Sequence, residues 1–152
     1  MDYRYQKERK KKHEDPYKYV ARLLKYRLRS EKEIRDRLSQ KFPVDVVEEV
    51  IGKLKEKNII DDKRFAYMYA KDQLQIYRHG PKLIKAKLKA FGVDDEDIEE
   101  GIQMAWNEFD VEEFIKELVN RKKSLKEVKN FLFKRGFDLS ILDNIDIEID
   151  RR

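Results

Sequence analysis

Apolar residues recur along this chain at steps of three and four, the spacing that lines one face of a helix. Tyr19, Val20, Leu23, Leu24 and Leu28 form the first such stripe. Ile34 and Leu38 form a second, and Val46, Val47, Val50, Ile51 and Leu54 a third. Ser30 followed by Glu33 reads as a capping box, which sets the start of the second helix. Phe42 and Pro43 end it, because the residue before a proline avoids the helical region. Asp45 is expected to cap the third helix.

The plan returns twice. Phe65, Tyr69 and Leu74, with Tyr67, predict a helix with an aromatic face, capped by Asp61 or Asp62. Gly80 and Pro81 punctuate the chain before a helix over residues 82–90, proline suiting a first helical position and Gly92 a C-terminal cap. Asp94, Asp95, Glu96 and Asp97 suit the start of the next helix, with Ile98, Ile102, Ala105 and Trp106 facing inward. Farther on, Val111, Phe114, Ile115, Leu118 and Val119 predict one helix and residues 124–134 a second, capped by Gly136. Ile141, Leu142 and Ile145 predict a short third. Residues 146–152 alternate charge with isoleucine, as a strand would, and read as a fraying end. Residues 1–16 lack apolar periodicity and read as a basic arm.

Beneath these stripes lies an internal repeat. Counting Ser30, Gly80 and Ser124 each as zero, position four is Ile34, Ile84 or Val128, and position eight is Leu38, Leu88 or Leu132. Positions two and five are always basic: Lys32 and Arg35, Lys82 and Lys85, Lys126 and Lys129. The prediction is an all-α fold of three tandem three-helix repeats, residues 17–62, 63–110 and 111–152, forming an elongated, curved array. Modules of about 45 residues bury too little surface to stand alone, so neighbours must lean on one another. Gly92 and Gly136 each lie twelve places after their opening, where the first repeat has Phe42.

Charged residues make up 44% of the 152, with five glycines and three prolines, a profile that favours helix. The absence of cysteine excludes disulfides and thiolate chemistry. No apolar run approaches the roughly 18 residues that span a bilayer, and the first residues are too charged for a secretory signal, so a cytoplasmic protein is expected. The net charge of +5 makes an anionic partner plausible. It is shared unevenly: +2 over residues 1–16, +3 over 17–62, −1 over 63–110 and +1 over 111–152. The middle repeat therefore draws no attraction to DNA from its net charge.

The repeated cations are the leading site candidates. Positions two and five lie about 60° apart on a helix, beside the buried stripe, so each repeat presents one basic patch. Lys89 joins them, and Arg22, Lys25, Lys87, Lys134 and Arg135 could extend the patch. Two readings stand: a track for phosphate or an acidic protein groove, or solvated residues chosen as good helix formers. Asp61, Asp62 and the run from Asp94 to Asp97 read as helix starts rather than cation or acid–base sites. His13 and His79 are lone imidazoles of a tail and a turn. Tyr67, Tyr69 and Tyr77, beside Lys71 and Arg78, could stack on bases or pack inward. With no phosphate loop, triad or histidine pair, the sequence argues against an enzyme and calls for no cofactor or metal.

Residues Ile60, Asp61, Asp62, Arg64, Phe65 and Ala66, then Gly80, Leu88, Phe91 and Gly92, resemble the RecX family of recombinase regulators. So do Ser30, Glu33, Ile34, Arg35 and Leu38, and the resemblance covers roughly residues 17–145. It implies an elongated, curved stack of three-helix repeats that binds the RecA recombinase. Such a protein lodges in the groove of the RecA filament on DNA and restrains strand exchange and ATP hydrolysis. A monomer is expected, and the flat charge of the later repeats predicts weak affinity of its own for single- or double-stranded DNA. Phe42 departs from the glycine common at its place, and the N-terminal arm is not shared. The other reading is a DNA-binding protein akin to helix-turn-helix modules that acts on DNA directly.

Overall fold

The structure is a computed structural model that describes residues 14–122 and 124–143. Among these residues it holds eight α-helices, one 3₁₀ turn and no strand. The helices are α1 (Pro16–Tyr26), α2 (Glu31–Ser39), α3 (Val44–Glu56), α4 (Asp62–Gln75), α5 (Pro81–Ala90), α6 (Asp95–Asn107), α7 (Val111–Arg121) and α8 (Leu125–Lys134). The 3₁₀ turn, Leu139–Leu142, stands where a third helix of the last repeat is expected. Ile145, residues 146–152 and the greater part of the N-terminal arm, with His13, lie outside the described residues.

The chain divides into two compact units, residues 1–61 and 62–152. In the first, α1 to α3 enclose Val20, Ile34, Leu38, Val47, Val50, Ile51 and Ile60. The capping box forms as expected: the Ser30 hydroxyl accepts from the Glu33 amide at 3.2 Å, and the Glu33 carboxylate accepts from the Ser30 amide at 3.1 Å. Two boundaries differ from expectation. Helix α1 stops at Tyr26 because Arg27 turns fully extended, which leaves Leu28 partly exposed instead of on the buried stripe. Helix α3 begins at Val44 with Pro43 at the cap position, so Asp45 sits inside the first turn, where its charge still favours the positive helix end.

The three later helix ends that reverse sharply share one device. The Phe137 amide reaches back to the Leu132 carbonyl at 2.9 Å and the Gly136 amide to Phe133 at 3.1 Å. Val93 and Gly92 repeat this over Leu88 and Lys89, and Ile59 and Asn58 over Leu54 and Lys55. That closure requires a left-handed residue, supplied by Gly136 (φ 86°), Gly92 (φ 79°) and Asn58 (φ 57°). Helix α2 ends without it: Lys41 and Phe42 both donate to the Leu38 carbonyl, and the Phe42 ring packs on Tyr19. Phe42 therefore replaces a glycine because its turn never enters the left-handed region.

In the second unit one apolar core serves both later repeats. Helices α4 and α6 pack most closely, with Gly101 against Ala66 and Tyr67, and Ala70 and Ala105 buried in the same core. A β-carbon on Gly101 would lie 2.8 Å from Ala66 Cβ and from the Tyr67 amide nitrogen, so only glycine fits there. Phe65, Tyr69 and Phe91 cluster at one end, which places Tyr69 in the packing rather than on a binding face. At the other end Phe109, in the connection into α7, and Phe114 of α7 meet Phe137.

Candidate functional site

The two repeats of the second unit are joined backbone to backbone. Helix α5 begins with amides that have no partner inside the helix, and α8 ends with carbonyls in the same position. Each supplies the other: the Gly80 amide donates to the Arg135 carbonyl at 2.7 Å, and the Lys82 amide to the Gly136 carbonyl at 3.1 Å. The negative end of one helix thus meets the positive end of the other. Gly80 needs no unusual backbone angle (φ −88°), but its missing side chain lets the two strands of backbone touch. Arg135 adds a bond to the Tyr77 carbonyl at 3.0 Å. Arg78 lies over Phe109 and Phe114 and pairs with Glu117 at 3.3 Å.

His79 sits at this junction. Its Nδ1 lies 2.7 Å from Gln73 Oε1, and its ring stacks on Tyr77. Burial lowers its pKa below the ordinary imidazole value, and the cations Lys87 and Arg135 lower it further. It is a hydrogen-bonded turn residue.

The repeated basic positions are used differently in each repeat. In the first, Arg35 turns across to Glu48 of α3 and bonds Glu31 at 3.4 Å, while Lys55 reaches Glu31 at 2.9 Å. Burial raises the Glu31 carboxyl, but the hydrogen bonds from Lys55 and Arg35 outweigh it and leave its pKa below the usual range. Lys32 is exposed, with no ion pair to a described residue. In the second repeat, Lys82 and Lys85 stay exposed on one wall of an open groove of about 370 Å³, above Pro81, Ile98 and Ile102, with Glu99 opposite. Lys85 and Glu99 correspond to Arg35 and Glu48 but form no ion pair among the described residues. Lys89 lies 3.8 Å from Asp95, an exposed pair of little weight. In the third repeat, Lys126 and Lys129 are exposed on α8 and, among the described residues, form no ion pair.

The stacking candidates separate as well. Tyr67 donates its hydroxyl to Glu108 at 2.6 Å, which raises its pKa, and Lys71 lies beside it. Tyr77 remains more than half exposed. Asp62 opens α4 and Asp94 stands at the cap position of α6. No group of acidic and histidine side chains suited to a metal occurs among the described residues. No described helix is long and apolar enough to cross a membrane.

Two all-helical units, with cations on the successive helices α2, α5 and α8, define an all-α protein of three-helix domains. The family model for the first three-helix domain of RecX matches residues 17–54, and that for the second matches residues 61–102. The regulatory protein RecX of Thermotoga maritima is 41% identical over 136 residues, covering 89% of this chain and 84% of that protein. The regulatory protein RecX of Bacillus pumilus is 34% identical over 130 residues, 79% of this chain and 49% of that one, so the chain spans about half its length. The crystal structure of RecX from Lactobacillus salivarius superposes with a TM-score of 0.74 at 31% identity, over 90% of this chain and 96% of that one. A further crystal structure of regulatory protein RecX, 22% identical with a TM-score of 0.67, shares the fold. The chain belongs to the RecX family.

Proposed function

We propose that this protein regulates the RecA recombinase by docking in the groove of the RecA–DNA filament and restraining strand exchange and ATP hydrolysis. The observation that carries the reading is membership of a family whose relatives are named regulatory proteins; the family resemblance supplies RecA as the partner. Repetition of the same basic pair on α2, α5 and α8 supports it, because a repeating surface suits a polymer of identical subunits. The action is steric. Repeats 17–62, 63–110 and 111–152 bridge successive recombinase subunits, block the pairing DNA and hinder the subunit movements tied to hydrolysis. The protein acts in the cytoplasm, as a monomer and without chemistry of its own.

A second reading, direct action on DNA, draws on the unpaired cations of the third repeat. Titrating the protein into the single-stranded-DNA-dependent ATPase of RecA separates the two. Inhibition below one copy per recombinase subunit, with weak binding to the same DNA alone, supports filament regulation. ATPase loss only when the DNA is saturated, together with tight salt-sensitive binding, supports direct action.

A further inference from the structure

The near-neutral balance of the third repeat conceals a segregation of charge. Between Arg121 and Arg135 the sequence holds seven basic residues and one acidic residue, a net +6 that exceeds the +5 of the entire chain. Other acids of that repeat lie outside the segment: Glu112 pairs with Lys116, Glu117 with Arg78, and Asp138 caps the 3₁₀ turn. The described cations of the segment stay out of such pairs. Arg121, Lys122, Lys126, Lys129, Lys134 and Arg135 form no ion pair with a described residue, and Arg135 instead donates to the Tyr77 carbonyl at 3.0 Å, so the segment is a net source of positive potential.

Two aromatic rings lie inside this field. Phe133 is 71% exposed on the surface of α8. At about 100° per residue it falls about 20° from Lys126 and 40° from Lys129, so the three share one face. The corresponding positions of the other repeats are Ser39 and Lys89, so the exposed ring belongs to this repeat alone. About 160° around α8 from Phe133, Phe131 is half-buried, with Lys122 Nζ and Arg135 Cζ each 5.1 Å from its ring centre. It lines an open groove of about 520 Å³ together with Arg121, Lys122, Glu127, Asn130 and Lys134.

Covering a large exposed apolar ring with a flat apolar partner releases free energy. The surrounding cations favour a polyanion as that partner, and a polyanion with exposed flat apolar faces satisfies both demands at once. Duplex DNA keeps its base faces stacked, and an acidic peptide rarely offers flat rings at regular spacing. We infer that the α8 face of the third repeat is a binding site for single-stranded nucleic acid, in which a base stacks on Phe133 while Lys126 and Lys129 hold flanking phosphates. The inference rests on the reading of the repeated basic pairs as contact surfaces and deepens it by assigning the third pair to the DNA of the filament.

The test is fluorescence anisotropy of a labelled oligodeoxythymidylate with the full chain, without RecA, over a series of salt concentrations. Phe133→Ala is expected to weaken binding by about tenfold with an unchanged salt slope, since stacking carries no counterion release. Phe133→Trp should restore affinity. Lys126→Gln with Lys129→Gln should lower the salt slope by about 1.4, at roughly 0.7 per phosphate contact on a single strand. A duplex of the same length should be insensitive to Phe133→Ala. Unchanged single-strand affinity in Phe133→Ala overturns the inference, as does equal loss toward single strand and duplex. If Phe133→Ala binds the oligonucleotide normally yet fails to inhibit the RecA ATPase, the ring meets protein and the inference is wrong while filament regulation stands.

Discussion

Gly80→Ala tests whether the junction of α5 and α8 holds the second unit together. The substitution is harmless locally, because φ −88° and ψ 172° suit any residue. Its cost lies across the junction. The new β-carbon would sit 2.5 Å from the Gly136 carbonyl carbon and 2.6 Å from both the Gly136 oxygen and the Phe137 nitrogen. Carbon atoms in ordinary contact lie about 3.5–4.0 Å apart, so the two backbones must part by about 1 Å. That stretches the 2.7 Å bond from Gly80 to Arg135 and the 3.1 Å bond from Lys82 to Gly136 past useful length. Two backbone bonds at about 1 kcal/mol each, with looser packing around Phe137, give a loss of about 2–4 kcal/mol. Trp106, the one tryptophan of the chain, touches Phe109 and Phe137 and reports this unit in urea unfolding. A change below about 0.5 kcal/mol, the usual range of an indifferent surface substitution, would refute the reasoning.

The same chemical change has other signs elsewhere. Gly101→Ala drives a methyl into Ala66 on the facing helix and should cost about 1–3 kcal/mol. Gly52→Ala, in the middle of α3 with nothing within 4 Å, should stabilise by about 0.5–1 kcal/mol, read by circular dichroism on heating. Ser30→Ala removes a buried capping box and should cost about 1–2 kcal/mol in the first unit. His79 has a folded pKa below its unfolded value, so it takes up protons more readily on unfolding. Its contribution is full above about pH 6.5 and is lost as pH falls toward the lower folded value; His79→Gln should flatten the dependence of the Trp106 urea midpoint in that window.

The fold was legible because its signals are local. Apolar periodicity, the Ser30–Glu33 box, Pro81 at a helix start, and Gly92 and Gly136 at helix ends each act within a few residues. Misplaced boundaries at Leu28 and Asp45 fell where Arg27 turns extended and where Pro43, not Asp45, takes the cap position. The junction was not legible, since Gly80 looked like a turn residue and its partner Gly136 lies a whole repeat away. The repeated cations were found, but their availability was not. Only folding shows that Arg35 is held by Glu48 while Lys85 leaves Glu99 unpaired. Summing charge by repeat hid the basic run from Arg121 to Arg135, because pairing acids to other cations is a matter of contact and not of count.

The central claim is that the repeated lysines act on the RecA filament, and one comparison tests it directly. Inhibition of the RecA ATPase on single-stranded DNA is measured for the wild-type chain and for the variant carrying Lys82→Glu, Lys85→Glu, Lys126→Glu and Lys129→Glu. These side chains are exposed, so melting by circular dichroism should be unchanged, while the inhibitory concentration should rise by about thirtyfold or more as four screened contacts turn repulsive. A folded variant that inhibits as the wild type does would contradict the account.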